Sequence, residues 1–330
     1  MTADVYLKTY LAPLAQWLDR VDITDILVNR PGEVWIEEAG GRMERVEAPD
    51  LTASILQRLA QQIAAVSHQG VNREHPLLAA TLPSGERVQV IAPPATRGDV
   101  AMAIRKHVVA EMTLQNYDAI GAFRDVRRAD VDDAPRSEPK LEELLNGGRI
   151  LEFLREAVRC GKTIVVSGGT ASGKTTLLNA LLKEIPADER LIAIEDTPEI
   201  HLAHPNAVGL VAVKGELGEA RIGVNDLMQA ALRMRPDRLL VGEVRGAEAF
   251  TFLRAINTGH PGSITTVHAD SPRGALEQIA FMALQAGTSL TRAEIIAYAR
   301  EVIDIIVQLQ RTRGRRSVAA IAFNRNSPLV

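Results

Sequence analysis

The sequence predicts a two-domain chain in which a smaller α+β domain precedes an α/β domain built on a mainly parallel sheet. The 330 residues exceed the ~100–200 residues of one ordinary domain. The stretch 125–140, DVRRADVDDAPRSEPK, is almost devoid of large apolar side chains and holds two prolines, as an exposed connection does. The predicted domains are therefore 1–124 and 141–330, joined by a linker at 125–140.

The amino-terminal part mixes short strands with helical stretches. ILVN and VWIEE flank turn residues at 30–32, and RMERVEA follows two glycines. Apolar residues with helical spacing extend from Leu51 to Val66, and another strand pair turns at 83–85. The opening segment carries Leu7, Leu14 and Trp17; we expect them to pack within this domain rather than touch a membrane surface, and Pro13 interrupts one long helix.

The part beyond the linker alternates apolar, β-rich runs with helical stretches. The runs are TIVV, RLIAI, VGLVAV, RLLV and SITTV. This alternation predicts crossover connections and hence the parallel sheet. Four arginines between residues 311 and 316 are interpreted as a turn between two closing strands rather than as a nucleic-acid patch.

A glycine-rich loop marks a phosphate-binding site. The strand at 163–166 runs into SGGTASGKTT and then into the helical LLNALLKEI, the context that a P-loop requires. Backbone amides of such a loop turn toward phosphate oxygens, and the helix N-terminus adds partial positive charge. We expect Lys174 to reach the β and γ phosphates of ATP and the Thr175 hydroxyl to ligate Mg²⁺. The predicted ATP-binding residues are Gly168, Gly169, Thr170, Ala171, Ser172, Gly173, Lys174, Thr175 and Thr176.

Two further strands end in carboxylates at the sheet edge where α/β proteins bind ligands. Glu195 and Asp196 follow one strand, and they either orient magnesium or the attacking water, or cap a helix and solvate a loop. Glu243 follows the other and is the candidate to polarise water, the alternative being a solvated glutamate. Gly242 stands where many ATPases carry aspartate, so we expect magnesium to be held chiefly by Thr175 and water.

Two histidines occur in TGHPGSITTVHAD. His268 ends a strand and is a candidate to donate to the γ-phosphate, whereas His260 precedes a turn and is equally well explained by a bond to nearby backbone. A metal site is disfavoured because no third ligand lies at suitable spacing.

Arginines that neutralise a γ-phosphate often come from a neighbouring domain or subunit. Arg105, Arg233 and Arg245 are the candidates, and the sequence leaves open which of them contacts the phosphate. Each has a structural ion pair as its alternative.

Bulk composition limits the partners. A net charge of −3 argues against a surface wrapped around nucleic acid, so we expect no direct sequence-specific nucleic-acid binding. One cysteine, Cys160, favours a reducing compartment. We expect a cytoplasmic protein without a signal sequence or membrane span, whose membrane association, if any, is peripheral.

Four motifs in a constant order resemble the secretion ATPase superfamily: SGGTASGKTT, IEDTPEI, LLVGEVRG and TGHPGSITTVHAD. NRPGEVWIE, LPSGERVQVIAPP and AIRKH extend the similarity to the VirB eleven family, the hexameric ATPases of type IV secretion systems. The resemblance implies a RecA-like P-loop domain and a homohexamer at the inner face of the bacterial inner membrane, working with inner-membrane and coupling components. It also implies catalytic roles for Lys174, Glu195, Glu243 and His268, and a phosphate contact for Arg105 from the amino-terminal domain.

Three other functions share this core. A motor of type II secretion or pilus retraction carries the same histidine box, although Cys160 alone excludes the four-cysteine module of many assembly motors. A nucleic-acid translocase is disfavoured because no aromatic-interleaved basic channel is present. An ATP-gated scaffold with negligible turnover is the non-enzyme alternative.

Overall fold

The computed structural model describes residues 2–106, 114–119, 121, 124, 139–213 and 219–324. The linker predicted at 125–140 lies outside these residues except for its last two positions, where a helix begins at Pro139. No helix within the described ranges combines the length and the apolar character needed to cross a bilayer.

The amino-terminal domain contains a six-stranded sheet of order β3-β2-β1-β6-β5-β4, in which every neighbouring pair is antiparallel. Both hairpin turns expected from the sequence are present, and Gly32 and Gly85 supply the positive φ angles, 83° and 107°, that they need. The strands are β1 (Ile23–Val28), β2 (Gly32–Glu38), β3 (Met43–Ala48), β4 (Leu77–Thr81), β5 (Arg87–Ile91) and β6 (Ala101–Arg105).

Helices cover one face of this sheet. They are α1 (Thr2–Leu11), a 3₁₀ turn (Ala12–Leu14), α2 (Ala15–Leu18) and α3 (Ala53–Val66). A further short helix, α4 (Leu114–Ala119), comes after the last strand in the sequence. Thr52 caps α3 by accepting the Ile55 N–H. Leu7, Leu14 and Trp17 are buried in the same core as the apolar face of α3. The packing expected for the opening segment is therefore confirmed, and its helix breaks at the turn that contains Pro13.

The P-loop domain is built on a seven-stranded sheet of order β13-β12-β7-β11-β10-β8-β9. All its strands are parallel except β13, which pairs antiparallel with β12. This confirms the mainly parallel α/β class. The strands are β7 (Ile164–Gly168), β8 (Leu191–Glu195), β9 (Ala207–Val211), β10 (Arg238–Val241), β11 (Ile264–Val267), β12 (Ile305–Thr312) and β13 (Arg315–Phe323).

Helices on both sides of the sheet bury it completely at its centre, where β7, β8, β10 and β11 have no exposed residue. These helices are α5 (Pro139–Asn146), α6 (Ile150–Arg159), α7 (Lys174–Leu182), α8 (Val224–Ala231), α9 (Glu248–Asn257), α10 (Pro272–Leu284) and α11 (Arg292–Val302). The arginine-rich segment forms the tight turn between β12 and β13, as expected, with Arg313 and Gly314 at positive φ.

The two domains meet along a polar seam. The Arg190 side chain is fully buried and donates to Asn29 Oδ1 of the amino-terminal domain and to Asn206 Oδ1, both at 2.6 Å. Burial lowers the pKa of Arg190 to about 9. Arg235 forms a two-pronged ion pair with Glu37 across the same seam. These bonds hold the amino-terminal sheet against the P-loop domain at the edge formed by β9.

Candidate functional site

The P-loop connects β7 to α7 at the carboxyl edge of the sheet. Gly173 lies at φ 98° immediately before α7, a conformation that favours glycine. A side chain on Gly168 would collide with Ser172 Oγ and would lie 3.1 Å from the Leu309 carbonyl oxygen, so the close approach of the loop and of β12 favours glycine here. Residues 170–176, seven of the nine residues predicted to bind ATP, all line a cavity of about 440 Å³.

Lys174 lies in the floor of this cavity. Its ammonium donates to the carbonyl oxygens of Gly168 and Gly169, at 3.0 and 3.4 Å, and lies 3.3 Å from His268 Nε2. Burial lowers the pKa of Lys174. The lysine therefore occupies the position from which a P-loop cation reaches phosphate oxygens.

Glu243 follows β10 and faces the same cavity. Its Oε1 lies 2.8 Å from His268 Nε2 and 3.8 Å from Lys174 Nζ, while Oε2 accepts a bond from Arg245 Nε at 2.5 Å. The pair with Glu243 raises the pKa of Arg245. Glu243, His268 and Lys174 are thus brought together as predicted. Arg245 neutralises the charge of the Glu243 carboxylate.

Glu195 is buried at the end of β8. Its side chain is 2% exposed, and Oε1 accepts the backbone N–H groups of Glu199 and Ile200, both at 2.8 Å. Its other oxygen forms an ion pair with Arg97 of the amino-terminal domain. Both oxygens thus hold the loop that follows β8, while Glu195 also lines the cavity. Its role in orienting magnesium or the attacking water stays a prediction.

That loop supplies a site residue that the sequence analysis missed. Glu199 Oε2 accepts the Thr175 hydroxyl at 2.9 Å, and its backbone carbonyl accepts Asn179 Nδ2 at 3.0 Å. Glu199 was visible as the last acid of IEDTPEI, but as an exposed loop residue it gave no signal that it would bend back onto α7. The expected magnesium ligand Thr175 is therefore paired with a carboxylate.

Gly242 has a steric explanation. A side chain there would meet Glu195 Cγ at 2.9 Å. The aspartate found at this position in many ATPases does not fit beside the buried Glu195. Glu199 instead supplies a carboxylate to the part of the cavity that holds Thr175.

The two histidines lie in different environments. His268 lines the cavity with half of its side chain exposed. His260 Nδ1 lies 3.0 Å from the Pro236 carbonyl oxygen, away from the cavity, and its burial lowers its pKa. The bond to nearby backbone is thus the role that the structure gives His260. Within the described residues no cluster of three metal-binding side chains occurs.

The three candidate arginines lie in two different cavities. Arg245 lines the P-loop cavity, but Arg105 and Arg233 line a different one, between the amino-terminal sheet and the end of α8. Arg105 donates to Asp25 Oδ1 at 2.9 Å. Arg105 therefore lies outside the P-loop cavity of its own chain, and its contact with a phosphate stays a prediction. Arg316, interpreted above only as a turn residue, lines the P-loop cavity.

The cavity fits a magnesium nucleotide. Ser172 Oγ is buried and lacks a hydrogen-bond partner within the described residues, so it is available to a ligand. Hydroxyl and carboxylate oxygens of Thr175 and Glu199 are the hard donors that Mg²⁺ prefers. Lys174 and Arg245, with the amides of the loop, complete a basic cradle for a triphosphate.

Comparison with known proteins gives independent evidence. The family model for type II/IV secretion system proteins matches residues 8–316. The chain belongs to this family. It is 37% identical over 329 residues to the type IV secretion system protein VirB11 of Bartonella quintana, covering 96% of this chain and 92% of that protein. The type IV secretion system protein PtlH of Bordetella pertussis is 39% identical over 333 residues, covering 97% and 95%.

A solved structure agrees with this membership. The crystal structure of the VirB11 ATPase from the Brucella suis type IV secretion system, in complex with sulphate, matches with a TM-score of 0.91 at 37% identity. The match covers 98% of this chain and 96% of that one. The resemblance to the VirB eleven family, predicted from the four motifs together with those of the amino-terminal part, is thereby confirmed, as is the α/β P-loop fold.

Proposed function

We propose that this VirB11-family chain hydrolyses ATP to ADP and phosphate, and that it powers a type IV secretion machine. The observation that carries the proposal is the meeting of Lys174, Glu243 and His268 in one cavity, beside the Thr175–Glu199 pair. Bound Mg²⁺ would neutralise charge on the β and γ phosphates. The cavity places a cation, a carboxylate and an imidazole around the position of a terminal phosphate.

The resting contacts suggest how the residues act. Lys174 exchanges the carbonyl oxygens of Gly168 and Gly169 for phosphate oxygens, which give the desolvated ammonium charged hydrogen-bond partners. The same phosphate attracts the Arg245 guanidinium away from Glu243. Release from Arg245 leaves Glu243 Oε2 free to accept a proton from the attacking water. His268 stays bonded to the other oxygen and orients the carboxylate.

We further propose that the chain works as a homohexamer with three parts, namely an amino-terminal domain at 1–124, a linker at 125–140 and a RecA-like domain at 141–330. Arg105 and Arg233 share a cavity remote from their own P-loop, so in a ring they would serve the nucleotide of a neighbouring protomer. ATP binding would clamp the domains and product release would free them. The proposed location is the cytoplasmic face of the inner membrane, against inner-membrane and coupling components that transfer protein or DNA–protein cargo.

Phosphate release tests the enzymatic proposal. Wild-type protein with Mg²⁺ and ATP is expected to release phosphate, and Lys174→Ala to abolish the release. Lys183→Ala, at the exposed end of α7, is the matched control and should retain wild-type turnover. If wild-type protein binds ATP without releasing phosphate above the Lys174→Ala background, the chain is an ATP-gated scaffold.

Mixed rings test the arginine assignment. Native mass spectrometry with ATP is expected to show six subunits. Arg105→Ala and Lys174→Ala proteins, each inactive alone, should regain part of the wild-type turnover when mixed, because some interfaces then combine an intact P-loop with an intact arginine. A mixture with no more activity than its components, or a persistent monomer at micromolar concentration, would contradict this arrangement.

A further inference from the structure

Arg97 belongs to the loop between β5 and β6, yet its contacts are with the P-loop domain. Its backbone N–H donates to the Gly209 carbonyl at 2.9 Å, and the Val211 N–H donates to the Ala95 carbonyl at 3.0 Å. An antiparallel bridge joins Thr96 and Leu210 between these bonds. The segment 95–97 of the amino-terminal domain thus adds to the outer edge of β9 like a short eighth strand.

The Arg97 side chain continues from this edge into the loop that follows β8. Its Nη1 donates to the Ile200 carbonyl at 2.7 Å, and its Nη2 forms the ion pair with Glu195. Glu195 in turn accepts the N–H groups of Glu199 and Ile200. Arg97 therefore contacts both ends of the segment 195–200 and fixes the carboxylate that closes it.

The far side of that segment reaches the nucleotide cavity. Glu199 accepts the Thr175 hydroxyl through its side chain and the Asn179 amide through its backbone, so it is bonded twice to α7. A continuous series of bonds runs from Arg97 through Glu195 and Glu199 to Thr175. It connects the amino-terminal domain to the proposed magnesium ligands without passing through the linker.

Two glycines provide the space that this series requires. A side chain on Gly209 would meet Arg97 Cδ at 2.5 Å and Nε at 2.8 Å, and one on Gly242 would meet Glu195 Cγ at 2.9 Å. Neither glycine has a positive φ angle, so backbone conformation does not explain them. Close approach of Arg97 and Glu195 does.

We propose that Arg97 is a positioning residue that couples the amino-terminal domain to magnesium–nucleotide binding, an inference that rests on the proposed function. While Arg97 holds the segment 195–200, Glu199 is placed for the metal, so docking of the amino-terminal domain raises Mg²⁺ affinity. Coupling between two sites is reciprocal. Bound magnesium nucleotide therefore stabilises the pairing of residues 95–97 with β9.

Binding of a fluorescent ADP analogue, titrated with Mg²⁺, tests whether Arg97 raises the affinity for Mg²⁺. Arg97→Ala is expected to raise the half-saturating Mg²⁺ concentration about 5-fold or more, and to leave the affinity measured in EDTA within about 2-fold. Gly209→Ala keeps the arginine but displaces it, and should give the same shift; Arg97→Lys should recover part of it. Arg73→Ala removes another ion pair between the domains, to Glu219, and should change nothing.

Hydrogen exchange tests whether bound magnesium nucleotide stabilises the pairing of residues 95–97 with β9. In wild-type protein, adding Mg²⁺ and ADP should slow exchange of the Val211 amide, whose bond crosses between the domains. In Arg97→Ala that response should disappear, while amides of the P-loop remain protected by nucleotide. Gly209→Ala serves as the second variant if Arg97→Ala folds poorly.

The outcomes distinguish the two proposals. If Arg97→Ala and Gly209→Ala show wild-type Mg²⁺ dependence, or if Val211 still responds to nucleotide in both, the coupling role of Arg97 is overturned while the ATPase proposal stands. A wild-type chain that binds no ADP analogue with or without Mg²⁺ overturns the ATPase proposal and the coupling role with it.

Discussion

Replacing Gly242 with alanine tests the explanation given for the missing aspartate. The new Cβ would lie 2.9 Å from Glu195 Cγ, closer than side-chain carbons approach each other. Glu195 has no room to yield, because two backbone amides and Arg97 hold its carboxylate. Adding a methyl group to such a site costs about 1–3 kcal/mol in unfolding free energy. For a domain of this size, that corresponds to a fall of roughly 2–12 °C in the thermal midpoint.

A double-mutant cycle isolates the contact. Differential scanning calorimetry of Gly242→Ala, Glu195→Ala and the double variant gives the interaction energy. In the Glu195→Ala background the clashing Cγ is gone, so Gly242→Ala should cost no more than about 0.5 kcal/mol. Gly40→Ala is the matched control, since a Cβ there meets nothing within 4 Å. Equal costs of Gly242→Ala with and without the Glu195 side chain would refute the steric explanation.

Three more predictions concern single residues. Glu199→Ala should raise the Mg²⁺ concentration for half-maximal ATP turnover several-fold, because Thr175 then keeps no acidic partner; an unchanged requirement would remove Glu199 from the metal site. Burial lowers the pKa of His260, so its contribution to stability is full above about pH 6.5 and is lost as the pH falls toward the lower folded-state pKa. His260→Gln should flatten that part of the stability–pH curve measured by calorimetry. Arg190→Ala leaves Asn29 and Asn206 without their shared buried donor, and an unsatisfied buried acceptor costs about 1–3 kcal/mol in unfolding free energy. A thermal midpoint within 1–2 °C of wild type, roughly what 0.5 kcal/mol produces, would contradict this.

The parts of the site that lie at strand ends were predictable from the sequence. The P-loop is contiguous, and the carboxyl ends of parallel strands meet at one edge, so Lys174, Glu243 and His268 had to converge once the strands were recognised. The alternation of strands and helices likewise predicted the parallel sheet.

The parts that depend on docking between the domains were not predictable. Arg97 and Glu195 lie far apart in sequence, and their ion pair exists only because the β5–β6 loop adds to β9. An arginine from the amino-terminal domain was expected at the site; Arg105 instead pairs with Asp25, whereas Arg97 of the β5–β6 loop pairs with Glu195, which lines the cavity. In the sequence, Gly242 stands out only as a glycine in place of aspartate. The side chain that fills the space beside it is Glu195, which comes from a neighbouring strand.

Glu243→Gln tests the central claim most directly, because it separates nucleotide binding from hydrolysis. The amide keeps the shape of the side chain and its contacts with His268 and Arg245 but does not accept a proton from water. In a single-turnover experiment with labelled ATP and Mg²⁺, the variant should bind ATP with near wild-type affinity and hold it uncleaved, with hydrolysis slowed at least ~100-fold. Wild-type cleavage by Glu243→Gln would contradict the assignment of Glu243 as the base and, with it, the mechanism proposed for this site.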